Sequence, residues 1–374
     1  MARQDEISKS IVAAILTADR ADKRGLLRRV LYFVSCFFTL FRIRLIRIRN
    51  EVFQRLRSTW SLDEDGYDHS FSGEEPLKAT GDMGYSGSSF FHTSDGAFIV
   101  KSVPRRFEHS FFRDDLLDPY ANYMTQNPTS LLIRITDFLG WPHVSLGGIL
   151  GLVPNYHIVM ENLLTGQDEA KASGGGDWET WDLKPTSYFF PERDIAGGRL
   201  TSEATKSKLA DRFDDKIAIT KDETDSLIRQ LERDTTLLAD NKAVDYSLFL
   251  IRIPLSQPQN PFADDPEVDN APQPPDYPPF APPAPPSWRT GIRSADGKYV
   301  FRAAVLDFFW AKHKVQPKLF TLLIRAWNLI DRQGPMSITT TPEEYRERFL
   351  QMCREIVNVT VDGESRVGVG YGTF

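Results

Sequence analysis

Ala243-Val244-Asp245-Tyr246-Ser247-Leu248-Phe249-Leu250-Ile251-Arg252-Ile253 sets a lone carboxylate immediately before a run that reads as a buried strand, which places Asp245 at a strand mouth. Upstream, Thr220-Lys221-Asp222-Glu223 matches a helix capping box, and Ile228, Leu231, Thr235 and Leu238 follow at helical spacing, so a helix delivers the chain to that carboxylate. Downstream, beyond a proline-rich interruption, the β-rich run from Tyr299 to Leu306 ends on a second acid, Asp307. Two acids at neighbouring strand ends, with a lysine earlier in the chain, are a set suited to magnesium and a nucleoside triphosphate.

With 374 residues, 41% of them hydrophobic and 26% charged, the chain has material for two domains or for one two-lobed domain with a sizeable core. The net charge of -6 conceals an asymmetry: residues 1–60 hold 13 Lys and Arg against 5 Asp and Glu. Basic surface is therefore concentrated at the N-terminus, and no nucleic-acid partner is expected. Cys36 and Cys353 cannot form a disulfide framework and lack metal-ligand spacing, which leaves no readable zinc site and fits a reducing, cytoplasmic setting.

Val30 to Phe41 is apolar over 12 residues, short of the roughly 20 that a spanning helix needs. Its late start and the lack of a small-residue cleavage site argue against a cleaved signal peptide. From Phe41 to Trp60 arginines recur among Ile43, Leu45, Ile46, Ile48, Val52, Phe53 and Leu56, the pattern of a basic amphipathic helix. Such a helix either lies on an anionic bilayer or packs on the domain or on a second subunit with its arginines in water.

Residues 80–101 read as a β-hairpin turned at Ser94-Asp95-Gly96. Gly81, Gly84 and Gly87 precede its first strand and Lys101 ends the second, either a phosphate cradle with its cation or a plain hairpin with a surface lysine. Glu108, near the start of a helical stretch from Phe107 to Tyr123, reads as a partner for Lys101 or as a solvated helix acid. Ser130–Leu139 and Asn155–Met160 are strand-like, and Glu161-Asn162 reads as a polar connector at a hinge. Past the loop from Gly166 to Gly176, Asp182 and Lys184 stand two apart on an extended segment, as site residues or as a surface ion pair. Pro254 to Pro286 holds 13 of the 24 prolines and reads as a disordered or polyproline-II insert. Lys314 to Gln333 reads as a helix, and Thr341-Pro342-Glu343-Glu344 opens a last one with a full capping box and Tyr345, Phe349, Met352 and Ile356 as its buried stripe.

Taken in order, residues 83–101, 116–132, Asp182-Leu183-Lys184, 244–253, Ala304-Val305-Leu306-Asp307 and 342–352 resemble the phosphatidylinositol phosphate kinases, and 53–71 is similar to the segment that leads into that family's kinase core. The resemblance runs from about Val52 to Val357. It implies an α+β, two-lobed protein-kinase-like fold of the type shared with SAICAR synthase. Residues 1–50 would be a basic amphipathic N-terminal segment, 51–165 the N-terminal lobe, 166–357 the C-terminal lobe carrying a disordered insert at 254–286, and 358–374 a loose tail.

The resemblance further implies a phosphotransferase using ATP and Mg2+. Asp245 and Lys184 would be catalytic; Lys101, Gly84, Ser86, Gly87, Glu108, Met160 and Asn162 would bind ATP; Asp307 would bind magnesium; Lys318 and Arg193 would bind substrate. The implied substrate is a phosphatidylinositol phosphate, expected to be phosphatidylinositol 4-phosphate at its 5-hydroxyl, at the cytoplasmic membrane face, with a homodimer formed through the N-terminal region. The family's Gly-Ser after Asp-Leu-Lys is Pro185-Thr186 here, Phe190 stands where the family has an arginine, and the dibasic pair of the substrate loop appears as Pro317-Lys318-Leu319-Phe320. Two other readings stay open: a degenerate kinase-fold binding or scaffold module without turnover, and a kinase of soluble inositol phosphates.

Overall fold

The computed structural model describes residues 2–17, 44–80, 88–141, 153–174, 176–185, 213–255, 280–311 and 340–359. The chain divides into two compact units, the first made of Met1–Pro128, Ile133–Thr165 and Tyr277–Pro282, the second of Thr129–Leu132, Gly166–Asp276 and Pro283–Phe374. Among the described residues no helix is long and apolar enough to cross a membrane.

The first unit is built on an antiparallel sheet of β1 (Ile46–Arg47), β2 (Leu77–Ala79), β3 (Phe90–Thr93), β4 (Phe98–Ser102), β5 (Ile135–Gly140) and β6 (Tyr156–Glu161), in the order β1-β5-β6-β4-β3-β2. Its helices are α1 (Ala2–Leu16), α2 (Asn50–Thr59), α3 (Glu64–Ser70) and α4 (Arg106–Phe111), the last running through a π turn (Phe112–Leu116) into α5 (Leu117–Gln126). Helix α1 buries Ile7, Ile11 and Ile15, one residue per turn, and touches both edge strands, β1 and β2. The β3–β4 turn is closed as its composition predicts: Asp95 accepts from Thr93 Oγ1 and Ala97 N, and Gly96 takes a φ of 69°, where the lack of a Cβ removes the strain.

Four expectations are corrected here. The basic helix does not run unbroken to Trp60: Ile46 and Arg47 pair with Gly140 and Leu139, and Arg49 at φ 55° stands before α2 begins. Nor are its arginines all in water, because Arg57 is fully buried and donates to Glu64 at 2.6 Å and to the Thr136 carbonyl at 2.7 Å. Glu161 is no connector. It closes β6 opposite Phe98, almost wholly buried, and its Oε1 accepts from Arg134 N at 2.9 Å. The far end of the proline-rich stretch is ordered, since Phe280 meets Trp60 and Phe98 edge-on and Ala281 N donates to the Trp60 carbonyl at 2.9 Å. An aromatic anchor between prolines supplies the packing that proline content alone conceals. Residues 256–279 lie outside the described ones.

The second unit contains β7 (Glu179–Leu183), β8 (Ile217–Ile219), β9 (Ala243–Val244), β10 (Ser247–Pro254), β11 (Ile292–Arg293), β12 (Tyr299–Leu306), β13 (Trp310–Ala311) and β14 (Val357–Val359), with helices α6 (Gln167–Ala172), α7 (Lys221–Asp240) and α8 (Pro342–Glu355). A four-stranded antiparallel sheet runs β11-β12-β10-β7; β13 pairs β9 antiparallel, and β14 pairs β8 in parallel. The capping box on α7 forms in full between Thr220 and Glu223, and its buried stripe is Leu227, Leu231, Thr235 and Leu238, with Ile228 half-buried. On α8 only half the box closes: Thr341 accepts from Glu344 N, while the Glu344 carboxylate turns to Arg348 at 2.7 Å. Tyr345, Phe349, Leu350 and Cys353 form its buried stripe, with Met352 half-buried. Buried Asp234 holds the segment Thr129–Leu132 in this unit by accepting from Ser130 Oγ and Leu131 N. The helix read at Lys314–Gln333 and the tail from Gly363 lie outside the described residues.

Candidate active site

One antiparallel ladder is interrupted where the second unit's carboxylates stand. Strands β10 and β12 pair from Ser247 opposite Leu306 outward, and β9 pairs β13 through Val244 opposite Trp310. Between these two stretches lie Asp245 and Tyr246 on one strand and Asp307, Phe308 and Phe309 on the other. Asp245 has a φ of 66° and Asp307 a φ of 60°, left-handed backbone that aspartate tolerates better than most residues. The break thus releases two carboxylates from the pleat at one end of the sheet. Strand β7 brings a cation to the same end, because Leu183 stands opposite Leu248 and Lys184 leaves the strand one step later.

Lys184 Nζ lies 3.1 Å from Asp245 Oδ2, the two side chains being 17% and 24% exposed. Burial pushes the ammonium's pKa down, but the fields of Asp245, Asp182 and Asp307 outweigh it and hold the group above its ordinary value. The cation therefore persists throughout the neutral range. Among the described residues Asp245 is its hydrogen-bond partner.

Residues 71–356 match the family described as Phosphatidylinositol-4-phosphate 5-Kinase. The chain belongs to this family. Over 200 residues it is 31% identical to phosphatidylinositol 4-phosphate 5-kinase type-1 beta of Gallus gallus and 30% identical to that of Homo sapiens, covering 53% of this chain and 34% of each relative. Phosphatidylinositol 4-phosphate 5-kinase 6 of Arabidopsis thaliana is 27% identical over 205 residues, 53% of this chain and 26% of the relative. The chain spans about a third or less of the length of these relatives.

The family implies ATP, generally with magnesium, and the donor set fits that metal. Asp245, Asp182 and Asp307 are hard oxygen donors whose fields all act on Lys184. Among the described residues no group of three or more His, Cys, Asp or Glu converges to cage a metal alone. Mg2+ suits such a site, for it takes one or two carboxylates and completes its shell with water and phosphate oxygens.

Of the residues implied for ATP, those described lie in the first unit. Lys101 sits in β4 between Phe90 and Ile158, its ammonium 5.5 Å from the centroid of the Phe90 ring. Glu108 accepts from Arg105 at 3.2 Å. Met160 is buried in the sheet between Ile99 and Ile135. Asn162 ties two turns together, its amide donating to the Gly96 carbonyl at 2.7 Å and its Oδ1 accepting from Leu164 N at 3.0 Å. Gly84, Ser86, Gly87, Arg193 and Lys318 lie outside the described residues. The left-handed break had no signal in the strand alternation on either side of it, and Tyr345 read only as core.

Proposed function

We propose that this protein is an ATP- and magnesium-dependent kinase of the inositol ring of a phosphatidylinositol phosphate, with phosphatidylinositol 4-phosphate as substrate and its 5-hydroxyl as acceptor. Membership of the family and the names of the relatives support the substrate class. The observation that carries the chemistry is Lys184 held by Asp245, beside Asp182 and Asp307, where the ladder breaks. Phosphoryl transfer needs in-line positioning and neutralisation of phosphoryl charge rather than covalent help.

In that reaction the acceptor oxygen bonds the γ-phosphorus as the bond to the bridging oxygen breaks, and ADP leaves with the electron pair. The hydroxyl proton goes to a carboxylate oxygen of Asp245, which also orients the nucleophile. The Lys184 ammonium holds the transferring phosphoryl oxygens. Asp307 would hold the magnesium ion, which when bound would neutralise phosphate charge. On the same reading the two units are the lobes of a kinase-like fold, Lys101 is a cation for nucleotide phosphate, and Lys318 and Arg193 serve the headgroup. The basic N-terminal region meets an anionic cytoplasmic membrane face or a second copy of the chain.

The test is transfer of radiolabel from ATP to vesicles holding each phosphatidylinositol phosphate in turn. Phosphatidylinositol 4-phosphate should be labelled, and Asp245→Asn should lose on the order of 10³-fold in kcat while remaining folded. Transfer to no lipid ends the claim. Calorimetric ATP binding without turnover selects a binding module instead, and transfer to soluble inositol phosphates without vesicles selects a headgroup kinase.

A further inference from the structure

The backbone that carries Asp245 belongs to no ladder. Asp245 and Tyr246 lie between β9 and β10, and Asp245 is held at φ 66°, so a group outside the sheet must steady this step of chain. Helix α8 supplies it. Tyr345, fully buried, donates its hydroxyl to the carbonyl of Tyr246, the residue after Asp245. Its ring meets the Tyr246 ring edge-on at 4.7 Å, and Phe349, one helical turn on, meets the same ring at 4.9 Å. The helix is itself fixed: Thr341 caps it, Arg354 pairs with Glu232 of α7 at 2.6 Å, and Arg346 donates to the Glu232 carbonyl at 3.2 Å.

Resting on the kinase reading, we infer that Tyr345 is a positioning residue for Asp245, its hydroxyl locking the left-handed step that presents the carboxylate to Lys184. Without that bond a non-glycine residue at positive φ relaxes towards the extended region. The carboxylate then moves further than transfer tolerates, since a displacement of about 1 Å can cost about 10²-fold in rate. The lock acts on Asp245 and leaves nucleotide capture alone, so it governs kcat rather than the KM for ATP.

Two variants test it. Tyr345→Phe keeps the ring and removes the bond, while Phe349→Leu loosens the same packing without touching the bond. The first should lower kcat by about 10- to 100-fold with the KM for ATP within about twofold. The second should lower the melting temperature and leave kcat, measured well below melting, within about twofold. A Tyr345→Phe kcat within twofold of wild type, or a loss matched by Phe349→Leu, overturns the inference. Should wild type transfer no phosphate, the kinase reading fails and the crystal structure of Tyr345→Phe decides instead. Asp245 leaving positive φ supports the lock; Asp245 still near 66° sinks it.

Discussion

Each unit gathers acids and bases at one place, and the two gatherings differ in burial and in the backbone that carries them. In the first, Asp137 is fully buried and faces Arg47 at 2.7 Å, Arg57 at 3.5 Å and the Tyr67 hydroxyl at 3.2 Å. Arg57 spends its other donors on Glu64 and the Thr136 carbonyl and lies 4.6 Å from the centre of the Tyr67 ring. In the second, a partly exposed lysine makes one ion pair among three carboxylates, two of them on left-handed backbone. A dry cluster whose charges pair with one another fastens helices to a sheet. A partly exposed cluster in which three carboxylates act on one lysine, two of them carried on left-handed backbone, is the arrangement expected of a site.

The harshest challenge to this contrast is Arg57→Met. Removing one partner of a buried ion cluster strands the others, so urea denaturation should show a loss of about 3–5 kcal/mol with kcat per folded molecule unchanged. A fall in kcat in the folded fraction would make the first cluster part of the chemistry. Lys184→Met is the converse. It should lower kcat by about 10²-fold, because phosphoryl charge loses its neutralising cation, and should shift stability less than Arg57→Met because Lys184 is partly exposed. A reversal of that order erases the distinction between the two regions.

A smaller effect separates the first unit by its histidines. His157 is fully buried, among the described residues neither ring nitrogen has a hydrogen-bond partner, and burial pushes its pKa down to about 3. His109, stacked on Tyr156 at 3.8 Å, is lowered to about 4, by burial first and by Arg113 next. Both folded values lie below the ordinary one, so as pH falls below about 6.5 the unfolded chain binds protons that the folded chain refuses. Stability should decline by up to about 1.4 kcal/mol per pH unit for each histidine, until pH approaches the folded value. His157→Leu should flatten that decline between pH 6.5 and 4 and leave stability at pH 8 undiminished, as read from denaturation midpoints across the range. An unchanged slope would place the acid lability elsewhere.

Features with local causes were readable in advance. The Thr220 box, the Thr341 cap, the turn at Ser94-Asp95-Gly96 and the run after Asp245 each follow from neighbouring residues. Arg57 was not readable, because an arginine on a helix looks solvated until Asp137 and Thr136, far along the chain, make its burial tolerable. Phe280 escaped for a similar reason: its packing partners, Trp60 and Phe98, are remote. Tyr345 looked like one more core aromatic, since a hydroxyl's partner across the fold leaves no mark on helical spacing.

Residue order alone settled which acids stand at strand ends and that Lys184 follows Asp182 on an extended segment, because alternation and capping act over a few neighbouring residues. Folding in three dimensions settled that these groups meet. Antiparallel pairing reverses β12 against β10 and brings Asp307 to the end where Asp245 begins, and β7 adds Lys184 there. The interruption that throws both aspartates into left-handed backbone depends on β13 pairing with β9 beyond it. Alternation within a strand fixes which face each residue takes, but which distant strand it pairs with, and where that pairing breaks, is a property of the pair.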